Sequence, residues 1–188
     1  EYRADALPYS GEAANIPWPG SYWPIWQDSI NVRWAGPEQP SPVEKYAIAF
    51  GLDPIALADS VSREYGIDSL YDRQECERDS QCDRTAGEKC GKRAGQSHGR
   101  CTPTWFGLCH AWAPAAILEP EPRYAVRYNN VTFEVNDLKA LTTLVYNHVD
   151  TKFLSQRCDA SNAGSEINVD EHLRPTSIEC RDTNPGTL

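Results

Sequence analysis

The chain has 188 residues, 40% of them hydrophobic, which is enough to bury a core as one large or two small domains. Its net charge of −9 and pI near 4.9 argue against nucleic acid and anionic membrane as partners, since both repel such a surface; divalent cations or amine substrates match it better. No apolar run reaches the length that spans a bilayer, and the first residues lack the charged-then-apolar pattern of a secretory leader, so the sequence reads as mature or processed.

Residues 1–40 read as a Pro- and Trp-rich extended arm, densest in Pro17-Trp18-Pro19-Gly20-Ser21-Tyr22-Trp23-Pro24-Ile25-Trp26. Proline at that density excludes a long helix or a central strand. The rings are expected to pack onto the rest of the fold; a binding groove and a latency cover are the other uses of such an arm.

A helical segment follows over 41–75. Ser41, Pro42 and Glu44 stand at the N-cap, first and third helical positions, a strong helix start. Tyr46, Ala49 and Phe50 then share one face, and Gly51 ends the helix. Asp53-Pro54 opens a second helix in which Ile55, Leu57, Ala58, Val61 and Tyr65 recur at helical spacing before Gly66. The two form a helical hairpin whose apolar stripe is expected to be core.

From Cys76 to Cys101 the spacing is Cys-x5-Cys-x7-Cys-x10-Cys with charged and Gly-rich spacers. Four cysteines allow three pairings; the interlaced one, Cys76 to Cys90 and Cys82 to Cys101, is favoured as in several small secreted modules. Zinc is the competing use, but Cys-x2-Cys pairs are absent. A disulfide-rich knob over 76–101 is expected.

The remainder, 102–188, is expected to contain a helix over Ala111–Leu118, with Pro114 accommodated if it begins near Leu108, and a strand over Val131–Val135. A helix capped by Asn136 or Asp137 then runs through Leu138, Leu141, Leu144, Val145 and Val149. Cys158 and Cys180 are expected to close a loop as a third disulfide. Asn130-Val131-Thr132 is a glycosylation sequon. The sum is an α+β chain.

Six of the seven cysteines pair off in this scheme, leaving Cys109 in Trp105-Phe106-Gly107-Leu108-Cys109-His110-Ala111-Trp112. A free thiol beside disulfides in an oxidising compartment invites exchange, so a chain that retains one has a use for it. At a helix N-terminus, unpaired N–H groups and the positive end of the macrodipole favour the thiolate, the arrangement of a nucleophile; a buried structural cysteine is the alternative. A histidine base is less legible. His110 points about a hundred degrees away from Cys109 on a helix, His98 lies in a polar loop, and His148 and His172 have no compelling local setting. Asp79, Asp83, Asp159, Glu166 and Asp170 read as solvated acidic surface, with no EF-hand pattern.

Trp-Phe-Gly-Leu-Cys-His-Ala-Trp-Ala-Pro-Ala-Ala-Ile-Leu-Glu at 105 to 119, Val-Thr-Phe-Glu-Val-Asn-Asp-Leu-Lys-Ala-Leu at 131 to 141 and Glu-Cys-Arg-Asp-Thr-Asn-Pro-Gly-Thr at 179 to 187 together resemble the secreted transglutaminase elicitors of oomycete plant pathogens. Ser-Pro-Val-Glu-Lys-Tyr-Ala at 41 to 47 and the Trp-Pro-Gly-Ser-Tyr-Trp-Pro arm resemble the same family. The resemblance implies a calcium-dependent protein-glutamine γ-glutamyltransferase, secreted to the extracellular space or cell wall. Its substrates would be proteins bearing glutamine and lysine. Residues 102–188 would be the first half of a papain-like core with Cys109 as nucleophile, and the histidine base would lie beyond Leu188. The chain would then continue, or be nicked, after 188, and a second fragment or C-terminal part of the enzyme would be its partner. Six residues before Cys109, where papain-like proteases carry a glutamine oxyanion donor, stands Pro103, which has no N–H; the Trp105 indole is the substitute, or else an aromatic wall. A papain-like cysteine protease and a non-enzymatic secreted disulfide-rich interaction module are the alternative functions, and no calcium ligand is named.

Overall fold

The computed structural model describes residues 10–12, 15–150, 170, 171 and 176. The chain divides into two units, Glu12–Val149 and a second formed by Glu1–Gly11 with Asp150–Leu188; the elements below all lie in the first. Cys158, Asp159, Glu166, His172 and Cys180 lie outside the described residues.

Helix α1 (Pro42–Phe50) starts on a complete capping box: Ser41 Oγ accepts from Glu44 N–H, and the Glu44 carboxylate accepts from Ser41 N–H at 2.7 Å. Gly51 ends it with φ 69, a left-handed position that suits glycine. Asp53 caps α2 (Pro54–Tyr65) by accepting from Ile55 and Ala56 N–H. The face of α1 expected to be core is only partly so. Ala49 is buried, whereas Tyr46 and Phe50 are 38% and 50% exposed. They stack on each other, and Phe50 stacks on Tyr128. The buried set is Pro42, Val43, Lys45, Ala47 and Ala49, because Lys45 turns inward to a buried carboxylate on α4. In α2, Val61 is buried while Ile55 is 75% exposed.

A three-stranded antiparallel sheet follows, in the order β1 (Glu75–Cys76), β3 (Gly99–Pro103), β2 (Glu88–Gly91). The interlaced pairing is present: Cys76 is bonded to Cys90 and Cys82 to Cys101. All four are buried, so the cystines are the core of the knob and not surface staples, and zinc has no thiolates here to bind.

Helix α3 (Cys109–Leu118) begins one residue after the position expected, and Pro114 is interior, beyond the first turn. An interior proline removes one helical hydrogen bond. Burial of Ala111, Ala115 and Ala116, the last two against Trp18, offsets that loss. Strands β4 (Val126–Tyr128) and β5 (Val131–Phe133) form a hairpin around Asn129-Asn130, with φ 44 and 64, a two-residue turn with both centres left-handed. The strand expected over 131–135 therefore stops at Phe133. Helix α4 (Val135–Asn147) starts two residues earlier than Asn136, and three earlier than Asp137, would place it, with Glu134 as N-cap and Asp137 at the third position closing the box onto Glu134 N–H. Val149 falls past its end and is exposed.

The main core gathers Trp23, Ile30, Val43, Val61, Leu108, Ala111 and Ala140 from the arm and all four helices. Trp18 and Trp23 are 1% and 3% exposed, so the Trp18–Trp23 stretch of the arm is built into the fold. Asp137, fully buried on α4, accepts from Lys45 Nζ at 2.5 Å and Trp34 Nε1 at 2.8 Å, which satisfies its charge without water.

Candidate active site

Cys109 is exposed and is the one free cysteine among the described residues. It is the first residue of α3, and Leu108 at the N-cap offers no side-chain cap. The Leu108 carbonyl accepts from Ala111 and Trp112 at 3.0 and 2.8 Å, and Leu108 N–H donates to the Tyr22 carbonyl at 2.7 Å. The N–H groups of Cys109 and His110 are thus the pair in this turn with no acceptor among the described residues.

The segment leading into the helix is held by the arm. Ile25 N–H donates to the Phe106 carbonyl at 2.9 Å, Pro24 and Gly107 form an antiparallel bridge, and Tyr22 Oη donates to the Thr104 carbonyl at 2.7 Å. Trp105 is 65% exposed and stands edge-on to Phe106, ring centroids 4.4 Å apart. Pro103 ends β3.

The three described histidines are engaged away from the thiol. His110 Nε2 lies 2.6 Å from Asn147 Oδ1, at the end of α4. His148 Nε2 lies 3.0 Å from the Tyr65 hydroxyl, which itself donates to Glu64. Burial and the neighbouring Glu64 carboxylate push Tyr65 up to about 12. His98 pairs with Ser97 in the knob. Among the described residues no hydrogen bond reaches the Cys109 sulfur. Sequence reasoning found the thiol but missed Tyr22, Pro24 and Asn147, because carbonyl contacts and an asparagine at a helix end leave no local signature.

A family model described as transglutaminase elicitor matches residues 1–188. The chain belongs to the transglutaminase elicitor family. A structure of the GP42 transglutaminase from Phytophthora sojae is similar, with 49% identity and a TM-score of 0.74 over 79% of this chain. This chain spans 43% of the length of that one. No match is found among curated proteins. At that identity the likeness extends to the fold, and the α+β architecture is that of a transglutaminase elicitor.

Among the described residues no three carboxylate side chains converge on one point. Asp79 accepts from Cys90 N–H on β2, and Asp83 from Thr85 N–H, Thr85 Oγ1 and Ala86 N–H, so the first carboxylate is tied to a strand and the second caps its own turn. These bonds hold Asp83 below the usual carboxylate range. The one close group of ligand-type side chains among the described residues is Cys76, Cys82 and Cys101, whose sulfurs are in disulfides. Asn130 of the sequon is exposed at the hairpin turn. No described helix is long and apolar enough to cross a membrane.

Proposed function

We propose that Cys109 is the nucleophile of a secreted protein-glutamine γ-glutamyltransferase. The observation that carries this reading is an exposed, unpaired thiol on the first residue of α3, in a turn whose Cys109 and His110 N–H groups have no acceptor among the described residues. The sulfur, giving its proton to a base, attacks the carboxamide carbon of a substrate glutamine. The tetrahedral oxyanion takes the Cys109 and His110 N–H groups. The amide nitrogen leaves as ammonia with the proton from the base, and the acyl group stays on sulfur as a thioester. A lysine amine then attacks that carbonyl, forming an isopeptide bond and returning the thiol.

The base is proposed to be a histidine beyond Leu188, as the family resemblance implies; the three described histidines, His98, His110 and His148, pair with other groups. Trp105 is proposed as the exposed aromatic wall beside the acyl group. Calcium dependence rests on the family resemblance, and no step is assigned to the ion.

The test is incorporation of a labelled primary amine into a glutamine-rich protein, with and without calcium, by the whole enzyme. Cys109→Ser is expected to abolish incorporation, and Trp105→Phe to retain most of it, as a wall needs the ring and not the indole N–H. Full incorporation by Cys109→Ser would sink the assignment of the nucleophile.

A further inference from the structure

We propose that Tyr22–Pro24 is a positioning strap that sets the place of the Cys109 thiol, resting on the reading of Cys109 as nucleophile. The arm runs antiparallel to α3 along its whole length. Asn15 Nδ2 donates to the Leu118 carbonyl and Trp18 Nε1 to the Glu119 carbonyl, both at 3.2 Å, at the far end of the helix. Gly20 lies against the Trp112 indole midway, where an added Cβ would be 2.8 Å from Nε1. Lys139 Nζ ties the arm from α4 by donating to the Pro19 carbonyl at 2.6 Å.

At the near end the contact changes from side chain to backbone. The Tyr22 carbonyl takes Leu108 N–H, and the Pro24 bridge takes Gly107, so two residues immediately before Cys109 are fixed by main-chain register. Gly107 is what permits this approach. A Cβ there would stand 2.4 Å from the Tyr22 carbonyl oxygen and 2.6 Å from its ring. Between the two contacts Trp23 is held at φ 48, a conformation a bulky residue adopts only when its surroundings force it. The consequence is a helix start whose sulfur and two N–H groups, without acceptors among the described residues, have one relative placement, the requirement for an oxyanion site.

The experiment is the pH profile of Cys109 alkylation by iodoacetamide, with disulfides intact, in the unaltered protein, Gly107→Ala and Tyr22→Phe, each with a thermal melt. Gly107→Ala is expected to slow alkylation roughly tenfold at mildly acidic pH and displace the profile toward alkaline pH, as the sulfur leaves the helix terminus. Tyr22→Phe, which loses only the tie to Thr104, is expected to act in the same direction by about threefold, and it decides the matter if Gly107→Ala does not fold. Variants that melt lower yet alkylate with the unaltered rate and profile overturn the strap and leave the nucleophile standing. An unaltered protein that alkylates like a simple cysteine peptide overturns both.

Discussion

Asp28 is 5% exposed and in a left-handed conformation at φ 65, yet carries a carboxylate. Its Oδ1 accepts from Ser62 Oγ at 2.6 Å and Ile67 N–H at 2.9 Å, and its Oδ2 from Asn31 Nδ2 at 3.0 Å. Burial raises its pKa above the ordinary value, while these donors and Arg93 pull the other way. A raised acid binds its proton more tightly in the folded state, so this group adds stability at low pH. That contribution is lost as pH rises from the ordinary carboxylate value through the raised one. Asp28→Asn keeps the Oδ1 bonds but aims an amide at two donors, costing about 1–3 kcal/mol. The variant also loses the pH slope, so urea unfolding should show a larger deficit in the carboxylate range than at neutral pH; an equal deficit at both would refute the assignment. At this scale the sequence is legible only where side-chain chemistry is local. Cys109 stands out by parity and by its aromatic neighbours, whereas the left-handed Trp23, Asp28 and Asn129 carry no glycine to mark them.

Helix starts were readable because their signals lie within four residues. At α1 the reading has an energetic counterpart. Burial alone would raise Glu44, but the Arg33 hydrogen bonds and the Ser41 N–H and hydroxyl outweigh it and hold the carboxylate below its usual value. A lowered acid contributes stability above the unfolded-state pKa, and loses it as pH falls through the folded value. Ser41→Ala should therefore cost about 1 kcal/mol near neutral pH and lower the melting temperature by roughly 2–4 °C. The penalty should shrink in acid, where Glu44 no longer accepts as a carboxylate; a penalty constant with pH would show that the box carries no charge term. The α4 cap lies two or three residues before the expected Asn136 or Asp137 because Glu134 occupies the N-cap, a place where serine, threonine, asparagine or aspartate is the usual signal. The β4–β5 hairpin escaped for a related reason. Asn129-Asn130 is a turn signal weaker than Asn-Gly, and its second residue also belongs to a sequon.

Across the whole unit Glu12–Val149, the α+β class and the disulfide knob were legible from composition and cysteine spacing, but not what joins knob to helices. That joint is Arg93, in the link between β2 and β3, which meets Asp28 at 3.4 Å, Asp59 on α2 at 2.5 Å and Asp68 after α2 at 2.9 Å. Three carboxylates from separate segments converge on one guanidinium, a long-range pattern no local window contains. Two of the three are more than a third exposed and screened by solvent, and Asp28 is the buried one. Arg93→Ala would leave that carboxylate without its cation and should destabilise the protein on the order of 3 kcal/mol at neutral pH. Losing a cation raises Asp28 further, so the variant should lose stability with rising pH more steeply than the unaltered protein. Its deficit should then be largest at neutral pH and smallest near the carboxylate range, the reverse of Asp28→Asn. Denaturant unfolding of both variants at the two pH values checks this. Deficits that vary with pH in the same sense would mean that Arg93 holds the knob through Asp59 and Asp68, and that Asp28 is satisfied by its neutral donors alone.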